Sequence, residues 1–253
     1  MLVAHLFLTY FKVMPNRASQ LAKEVFACLA GDRLVFLDLP TNKYLCLNAE
    51  NSRIALQISS LPGIAQPSQP MTGMDSQSKG LLIMQALMNR RLITRAPGAE
   101  GIAGLCRPPR AAGREINLSQ FAPARARLSH WRAFLIGAAS ASAKLRCWSM
   151  LKIVQSIRQR KGRANNRVKL NETELAMTVA VFNRLRPFYP RAYLCLYDSL
   201  ALLEFLSRQG CYPLWVFGVK SDPFGAHCWV QWHDLVLNDA AARVHRYTPI
   251  MIV

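Results

Sequence analysis

The amino-acid sequence predicts an α+β fold, in which runs of strands and runs of helices follow one another. Three observations predict it. Apolar residues alternate through residues 25–48, a well-capped helix signal covers 171–186, and a second alternating run covers 211–240. Apolar residues make up 51% of the 253-residue chain, which is enough to bury the core of one large domain or two small ones.

The first predicted unit covers residues 25–95. It begins with the strand-like run VFACLAGDRLVFLDL, and after the turn PTNK a short strand follows at Tyr44–Leu47. Asn48 is a suitable cap for a helix over 49–61, and KGLLIMQALMNRRLI predicts an amphipathic helix over 79–91. A hairpin followed by short helices resembles a small winged-helix module.

The linker between the two predicted units and the start of the second unit are basic. Residues 96–124 are rich in Pro, Gly, Ala and Arg and are predicted to be a linker. Residues 125–161 keep an apolar helical stripe and predict one helix, or two helices broken near Gly137–Ser142. Of the net charge of +18, about +14 falls within residues 101–170 and about zero within 171–253.

Two interpretations of this basic helical segment remain open. It is either a helix with an apolar core face and a solvated basic face, or a surface that attracts an acidic peptide, a partner protein or the anionic surface of a membrane. Nucleic acid is not expected as a partner, because the aromatic residues are not spaced as stacking platforms.

Residues 1–24 are expected to be an N-terminal extension. The stretch MLVAHLFLTYF is interrupted by His5 and lacks the features of a secretory signal or a membrane span, and Met14 offers a second start. The seven cysteines are odd in number and contain no CxxC pair, which favours reduced thiols in the cytoplasm over a disulfide framework.

The second predicted unit covers residues 125–253. Asn171 with Glu174 forms a capping box, and Pro187 ends the helix that follows. A second helix is predicted over 195–209, with Gly210 after its last turn. The alternating runs beyond it predict strands over 211–219 and 227–232 and a further strand at LVLND.

Cys195 is the candidate nucleophile, because it begins the helix CLYDSLALLEFL. The helix dipole and the free N–H groups of a first turn favour a thiolate, although a cysteine in this position is often a packing residue. Cys228 follows His227 in a strand, so it is predicted to point to the opposite face.

His227 and Asp239 are the candidate base and its orienting carboxylate. Directly opposed residues of an antiparallel hairpin share a face, so pairing of these two requires residue 231 to face residue 235 across a three-residue loop, WHD. An ordinary strand-end histidine and an Asx-turn aspartate are the alternatives. No HExxH, P-loop or GxGxxG motif occurs, so no metal or nucleotide site is predicted.

Two stretches, YLCLYDSLALLEFLSRQG and LWVFGVKSDPFGAHCWVQWHDLVLNDAA, resemble the B proteins of lasso-peptide biosynthesis of the microcin-processing type. The resemblance covers residues 170–242, and the C-terminal half of that family belongs to the transglutaminase-like cysteine proteases. It implies a peptidase with Cys195 as nucleophile, His227 as general base and then acid, and Asp239 as the orienting residue.

The N-terminal run GDRLVFLDLPTNKYLCLNAENSRIALQI is similar to the winged helix with which this family recognises its precursor peptide. There the leader of the precursor adds as a strand beside the third strand and lies against the third helix, which is β-augmentation. Carried over to this chain, the resemblance implies leader binding by Tyr44, Leu45, Cys46, Leu47, Leu82, Gln85, Ala86 and Asn89.

The resemblance also implies a partner, an asparagine-synthetase-like cyclase that closes the macrolactam ring after the leader is removed. A requirement for ATP is associated with some members of the family, and this sequence shows no site for it. Two other functions stay open on the residues alone: a transglutaminase-type acyl transferase, which uses the same three side chains, and a winged-helix DNA-binding regulator.

Overall fold

The computed structural model describes residues 19–58, 74–95, 111–117, 126–164 and 170–253. The second start at Met14, the end of the helix predicted over 49–61 and most of the predicted linker 96–124 lie outside the described residues.

The N-terminal part forms a small sheet and two helices. Its elements are β1 (Ser19–Leu21), β2 (Val25–Ala30), β3 (Arg33–Asp38), β4 (Lys43–Cys46), α1 (Ala49–Ile58), α2 (Met74–Asn89) and β5 (Ile93–Arg95). Strands β2, β3 and β4 pair antiparallel in that order, and β1 pairs with β5. Gly31 has a φ of +62° in the tight turn between β2 and β3, a conformation that glycine adopts without strain.

The β2–β3–β4 sheet is buried on both faces. Leu34 and Phe36 point to one face and pack in a cluster with residues of α1 and α2. Val35 and Leu37 point to the other face and belong to the main core, which the C-terminal part of the chain shares. The described part of the predicted unit 25–95 therefore packs directly on the rest of the protein.

The C-terminal part is a five-stranded sheet with helices packed against it. Its elements are β6 (Arg114–Glu115), α3 (Leu128–Cys147), α4 (Met150–Arg163), α5 (Glu172–Leu185), α6 (Cys195–Ser207), β7 (Leu214–Ser221), β8 (Phe224–Trp232), β9 (Leu235–Val236), α7 (Ala241–Val244) and β10 (Thr248–Ile252). The strand order is β10–β7–β8–β9–β6. Strand β6 lies within the predicted linker and pairs parallel with β9. Helix α6 packs on β8 and against α3.

The basic segment forms two helices, which is one of the two predicted alternatives, but the position predicted for the break, near Gly137–Ser142, is wrong, because α3 continues through these residues. A Cβ on Gly137 would lie 3.2 Å from the backbone nitrogen of Phe205, so this glycine allows α3 to approach α6 closely and does not end a helix. The break falls at Trp148–Ser149, where the Ser149 side chain accepts a hydrogen bond from Lys152 N and caps α4. No described helix has the length and apolar character needed to cross a membrane.

Part of the basic charge of α3 and α4 is used inside the protein. Glu204 of α6 is 1% exposed, and its carboxylate contacts Lys144 Nζ at 2.6 Å and an Arg160 nitrogen at 2.5 Å. Arg208, the residue that follows the last turn of α6, lies 3.3 Å from the same carboxylate. These ion pairs join α3, α4 and α6 around one carboxylate.

Candidate active site

Cys195 is the first residue of α6, and its side chain is exposed. The residue before it, Leu194, occupies the N-cap position and supplies no side-chain cap. Asp198 partly replaces that cap, because its Oδ2 accepts a hydrogen bond from Leu194 N at 2.7 Å. The sulfur therefore sits where the positive end of the helix dipole stabilises an anion.

Arg186 fixes the loop that leads into α6. Its guanidinium is buried, donates to Asp198 Oδ1 at 2.5 Å, and also donates to the carbonyl oxygens of Tyr189, Arg191 and Ala192. A planar guanidinium with several N–H donors is suited to holding this loop, because one side chain can bind several loop carbonyls and the Asp198 carboxylate at the start of the helix at the same time.

His227 and Asp239 are in contact. His227 Nε2 and Asp239 Oδ2 lie 2.5 Å apart, and the two side chains are 11% and 8% exposed. Because Asp239 occupies Nε2, Nδ1 is the nitrogen left for the hydrogen bond between His227 and the Cys195 sulfur. The structure thus brings together the three residues that the sequence singled out.

The route by which Asp239 reaches His227 differs from the predicted hairpin register, which is wrong. Gln231 pairs with Val236 and Trp232 pairs with Leu235, so the turn has two residues, and His233 adopts a φ of +54° in it. Regular pairing ends after Val236.

Asn238 compensates for the end of the ladder. Its Oδ1 accepts a hydrogen bond from Val230 N at 2.7 Å, in place of the backbone partner that a continued strand would supply. The chain bends through residues 237–239, and this irregularity turns Asp239 toward His227. The hydrogen bond from Val230 N to the Asn238 side chain thus supports the bend that brings Asp239 to His227, whereas the prediction had assigned this task to a three-residue loop.

Two aromatic rings flank the imidazole. The Tyr247 and Trp229 rings lie 5.1 Å and 6.2 Å from the His227 ring, centroid to centroid. Gly218 is the strand partner of His227, and a Cβ there would come within 2.8 Å of the Trp229 ring and 2.9 Å of Tyr247 Cβ. This glycine makes room for the rings that hold the imidazole in place.

The electrostatics favour a charged pair. Hydrogen bonds from the side chain of Cys228 and from His227 outweigh burial and lower the pKa of Cys195 to about 4. Hydrogen bonds to Asp239 and Cys195 raise the pKa of His227 to about 9. Burial opposes ionisation of Asp239, but the hydrogen bond from His227 outweighs it and the pKa stays lowered. At neutral pH the pair is therefore a thiolate beside an imidazolium.

A cleft of about 240 Å³ opens above the sulfur. Its walls include the following residues: Phe182, Asn183, Arg186, Tyr193, Leu194, Cys195, Asp198, His227, Cys228, Asn238, Asp239 and Arg243. An exposed thiolate at a helix start, beside a protonated imidazole, is suited to acyl transfer through a thioester. Within the described ranges, no group of three or more His, Cys, Asp and Glu side chains is placed to hold a metal ion.

The strand residues for which the family resemblance implies leader binding point to both faces of the sheet. In β4, Tyr44 and Cys46 pack on the main core, whereas Leu45 and the following Leu47 pack on the helical cluster. The Tyr44 ring makes an edge contact with Phe224 at 5.9 Å between centroids. Burial, and then the nearby thiols of Cys228 and Cys195, raise the pKa of Tyr44 to about 12, so this side chain lies near the Cys195 sulfur.

The helix residues form an exposed surface of α2. Leu82 is 71% exposed, and Gln85, Ala86 and Asn89 are exposed beside it. Gln85 Nε2 donates to Asn89 Oδ1 at 3.2 Å. This spacing places the four side chains on one side of the helix.

Sequence reasoning missed several residues that build the site, namely Arg186, Ser199, Gly218, Cys228, Asn238 and Tyr247. Asn238 could have been found from its position in the sequence, directly before Asp239. For Cys228 the signal is its adjacency to His227, which in a strand predicts a side chain on the opposite face. Cys228 does point away from His227 into the core, where its Sγ lies 3.3 Å from Ser199 Oγ.

Comparison with known proteins gives one finding. No curated protein and no solved structure matches the chain significantly. One family model does match part of the chain, that of the transglutaminase-like superfamily. Members of this superfamily are typically cysteine-protease-like enzymes, and a domain of this kind fits a cysteine peptidase or an acyltransferase. Residues 135–252, which include Cys195, His227 and Asp239, match the transglutaminase-like superfamily, so the C-terminal part of this chain is a transglutaminase-like domain.

Proposed function

We propose that the protein is a cysteine peptidase that binds the leader of a ribosomally made lasso precursor peptide and cleaves the leader from the core. The observation that carries the proposal is the contact chain from Cys195 through His227 to Asp239, at the start of a helix and open to a cleft. The sequence resemblance over residues 170–242 supplies the substrate class.

The reaction begins from the charged pair. The Cys195 thiolate attacks the carbonyl carbon of the scissile amide, and a tetrahedral oxyanion forms. Imidazolium His227 gives its proton to the leaving nitrogen, the C–N bond breaks, and the core leaves with a free amine while the leader stays bound as a thioester. Neutral His227 then takes a proton from water, the hydroxide attacks the thioester, and the Cys195 thiolate is released.

The oxyanion needs hydrogen-bond donors. Backbone N–H groups in the first turn of α6, including that of Cys195, are our candidates, because Leu194 provides no side-chain cap for that turn. One such donor contributes about 3–4 kcal/mol to transition-state stabilisation in enzymes where it has been removed.

Leader binding is supported by the position of β4. Among the described strands β4 is at the end of its sheet, so its outer edge offers unpaired N–H and C=O groups for a peptide strand. Because Tyr44 of this strand lies near Cys195, a leader paired with β4 would run beside the catalytic cleft. Even a weakly bound leader then raises the local concentration of the scissile bond.

The cyclase is the proposed protein partner. The exposed basic residues of α3 and α4 and of the segment before them offer a docking surface for it or for an acidic leader; they are Arg127, Arg132, Arg146, Lys152 and Arg163. Reversal of these charges is expected to weaken cyclase binding and to leave Cys195 reactivity unchanged.

The experiment is mass spectrometry of a precursor encoded beside this gene, incubated with the purified full chain. We expect two products, the free leader and a core with a new N-terminal amine. Cys195→Ala is expected to abolish the products while the affinity for the leader, measured by fluorescence anisotropy, stays the same. An intact precursor at all enzyme concentrations, with leader bound, would contradict peptidase activity.

The acyl transferase is distinguished in the same assay. A primary amine such as cadaverine is added in excess, and a transferase would yield a leader extended by the amine in place of the free acid. A DNA-binding regulator would leave the precursor intact and bind duplex DNA with a steep salt dependence.

A further inference from the structure

Strand β6 lies within the predicted linker and precedes residues 135–252, which match the transglutaminase-like superfamily. It nevertheless extends the edge of the five-stranded sheet, where it pairs parallel with β9. Ala112, just before β6, is buried and packs in one cluster with Trp229 of β8. The described segment 111–117 is therefore built into the sheet that carries His227.

Arg114 holds β6 in this position. Its guanidinium donates to both carboxylate oxygens of Asp234, in the turn between β8 and β9, and to both carboxylate oxygens of Glu172, at the start of α5. The backbone N–H groups of Gly113 and Arg114 also donate to Asp234 O, at 3.0 and 3.1 Å. Two bidentate contacts from one planar guanidinium fix the direction of the strand, and so they fix the place of the next residue, Glu115.

Glu115 binds the backbone that follows Asp239. Its Oε2 accepts a hydrogen bond from Ala241 N at 2.7 Å. Ala241 is the first residue of α7, and Ala240 at the N-cap position supplies no side-chain cap, so Glu115 satisfies an N–H group that has no partner within the helix. The N–H of Ala240 donates to Asp239 Oδ1 at 2.7 Å, and Asp239 Oδ2 contacts His227. Two consecutive backbone N–H groups thus connect Glu115 to the carboxylate beside the imidazole.

We propose that Glu115 is a positioning residue, which holds the backbone at residues 240–241 and thereby keeps the Asp239 carboxylate against His227. The inference rests on the proposed roles of His227 and Asp239, but it does not depend on which peptide is cleaved. It places a group that supports the site outside residues 135–252, on a strand that the sequence predicted to be linker. The alternative is that Glu115 only stabilises α7, and this alternative predicts no change in the titration of His227.

The titratable and charged groups around His227 and Asp239 are all retained when Glu115 is substituted. They are Asp239 itself, Cys195 of α6, Arg243 of α7, Tyr247 before β10, and Lys220 of β7 beside the Tyr247 ring. A changed titration of His227 would therefore report a changed position of the Asp239 carboxylate and of α7.

The test is an NMR titration of the His227 ring proton in the full chain. Glu115→Ala removes the acceptor for Ala241 N and so loosens the hold on Asp239. We expect the His227 midpoint to fall from about 9 in the wild type by roughly 0.5 to 1 pH unit in this variant. Glu115 is exposed, so the Ala variant is expected to fold. Glu115→Gln keeps an oxygen that accepts the same hydrogen bond and is expected to return the midpoint close to that of the wild type.

Glu50→Ala is the matched control, because Glu50 is an exposed carboxylate at the start of another helix, α1, and its partner Lys79 is exposed as well. It is expected to leave the His227 midpoint unchanged. A midpoint near 9 in both the wild type and Glu115→Ala would overturn the role of Glu115 alone. An equal fall in Glu115→Gln would overturn it too, because the effect would then come from the charge of Glu115. A wild-type midpoint near 6.5 would instead contradict the His227–Asp239 pair on which the proposed function depends.

Discussion

At the scale of single residues, the site separates charge before a substrate arrives. With the pKa of Cys195 near 4 and that of His227 near 9, the thiolate and the imidazolium that the proposed reaction requires are both present between these values. Below the lower value the thiolate gains a proton and no longer attacks. Above the upper value the imidazole loses the proton that, in the proposed reaction, is given to the leaving amine. A plateau of activity bounded by these two limbs follows.

Asp239→Asn tests the carboxylate that raises the pKa of His227. The hydrogen bond that His227 donates to Asp239 is the largest cause of that raised pKa. Without its charge the imidazolium is less stable, so we expect the titration of His227 to move from about 9 toward the ordinary histidine value of about 6.5, and the basic limb of activity to move with it. NMR titration of the His227 ring proton measures this directly.

The control for the Asp239 variant is Asp32→Asn, which removes an exposed carboxylate in the β2–β3 turn. It is expected to leave the His227 titration where it is. A midpoint that remains near 9 in the Asp239 variant would assign the raised pKa to the thiolate in place of the carboxylate.

Gly218→Ala tests the packing around His227. The added methyl group would lie 2.8 Å from the Trp229 ring, so the rings beside the imidazole must shift. We expect a loss of stability of about 1–3 kcal/mol and a lower rate of Cys195 alkylation. Gly225→Ala is the matched control, because a methyl group there meets the flexible side chain of Lys220. Equal effects of the two substitutions would mean that strand propensity, and not ring packing, is responsible.

At the scale of elements, α6 has two tasks. Its first residue is the proposed nucleophile, Cys195, and one side chain in its second half, Glu204, is the anion that holds α3 and α4 in place. A buried carboxylate with three cationic partners is stable only while all of them are present. The orientation of the helix that carries the sulfur therefore depends on an ion-pair cluster remote from the cleft.

Glu204→Gln is expected to destabilise the protein by roughly 3 kcal/mol at pH 7. The basic partners lower the pKa of Glu204 from 4.5 to about 2 against the opposing effect of burial. Because the folded pKa lies below the unfolded one, this stabilisation is complete above about 4.5 and is lost as the pH falls toward 2. Urea denaturation at several pH values should show the difference between variant and wild type shrinking over that range.

Glu172→Gln provides the comparison for Glu204, because Glu172 forms an ion pair with Arg114 at the surface, where both side chains are 51% exposed. A loss below about 1 kcal/mol is expected there. A large effect at Glu172, or none at Glu204, would contradict this account of the cluster.

Elements whose signals are local could be predicted from the sequence, and those set by tertiary contacts could not. The capping box of Asn171 and Glu174 is present as predicted, because both partners lie within one turn. The sequence leaves open whether a helix breaks near Gly137, because the role of Gly137 in packing against α6 depends on a residue far away in the chain. The β8–β9 register failed for the same reason: Asn238 replaces a ladder bond, and no local pattern indicates that.

At the scale of the whole molecule, the β2–β3–β4 sheet connects two clusters. Its alternating side chains place Val35 and Leu37 in the core of the C-terminal part, and Leu34 and Phe36 among the helices. Strand β2 also contacts β10, and Arg158 of α4 binds Glu24 at 2.8 Å. The predicted division at residues 96–124 is therefore compatible with a single cooperative folding unit, in which β4 and the cleft beside Cys195 keep a fixed distance.

Leu37→Ala tests this coupling. Leu37 is 1% exposed in the shared core, and its truncation is expected to cost about 3 kcal/mol. All five tryptophans lie beyond residue 130, so their fluorescence reports on the C-terminal part only. If the sheet and the C-terminal part unfold together, the fluorescence midpoint in urea falls by the same amount as the midpoint from circular dichroism. Leu82→Ala, at an exposed site of α2, should move neither midpoint. An unchanged fluorescence midpoint in the Leu37 variant would show instead that the two parts unfold independently, and that leader binding and catalysis reside on separable units.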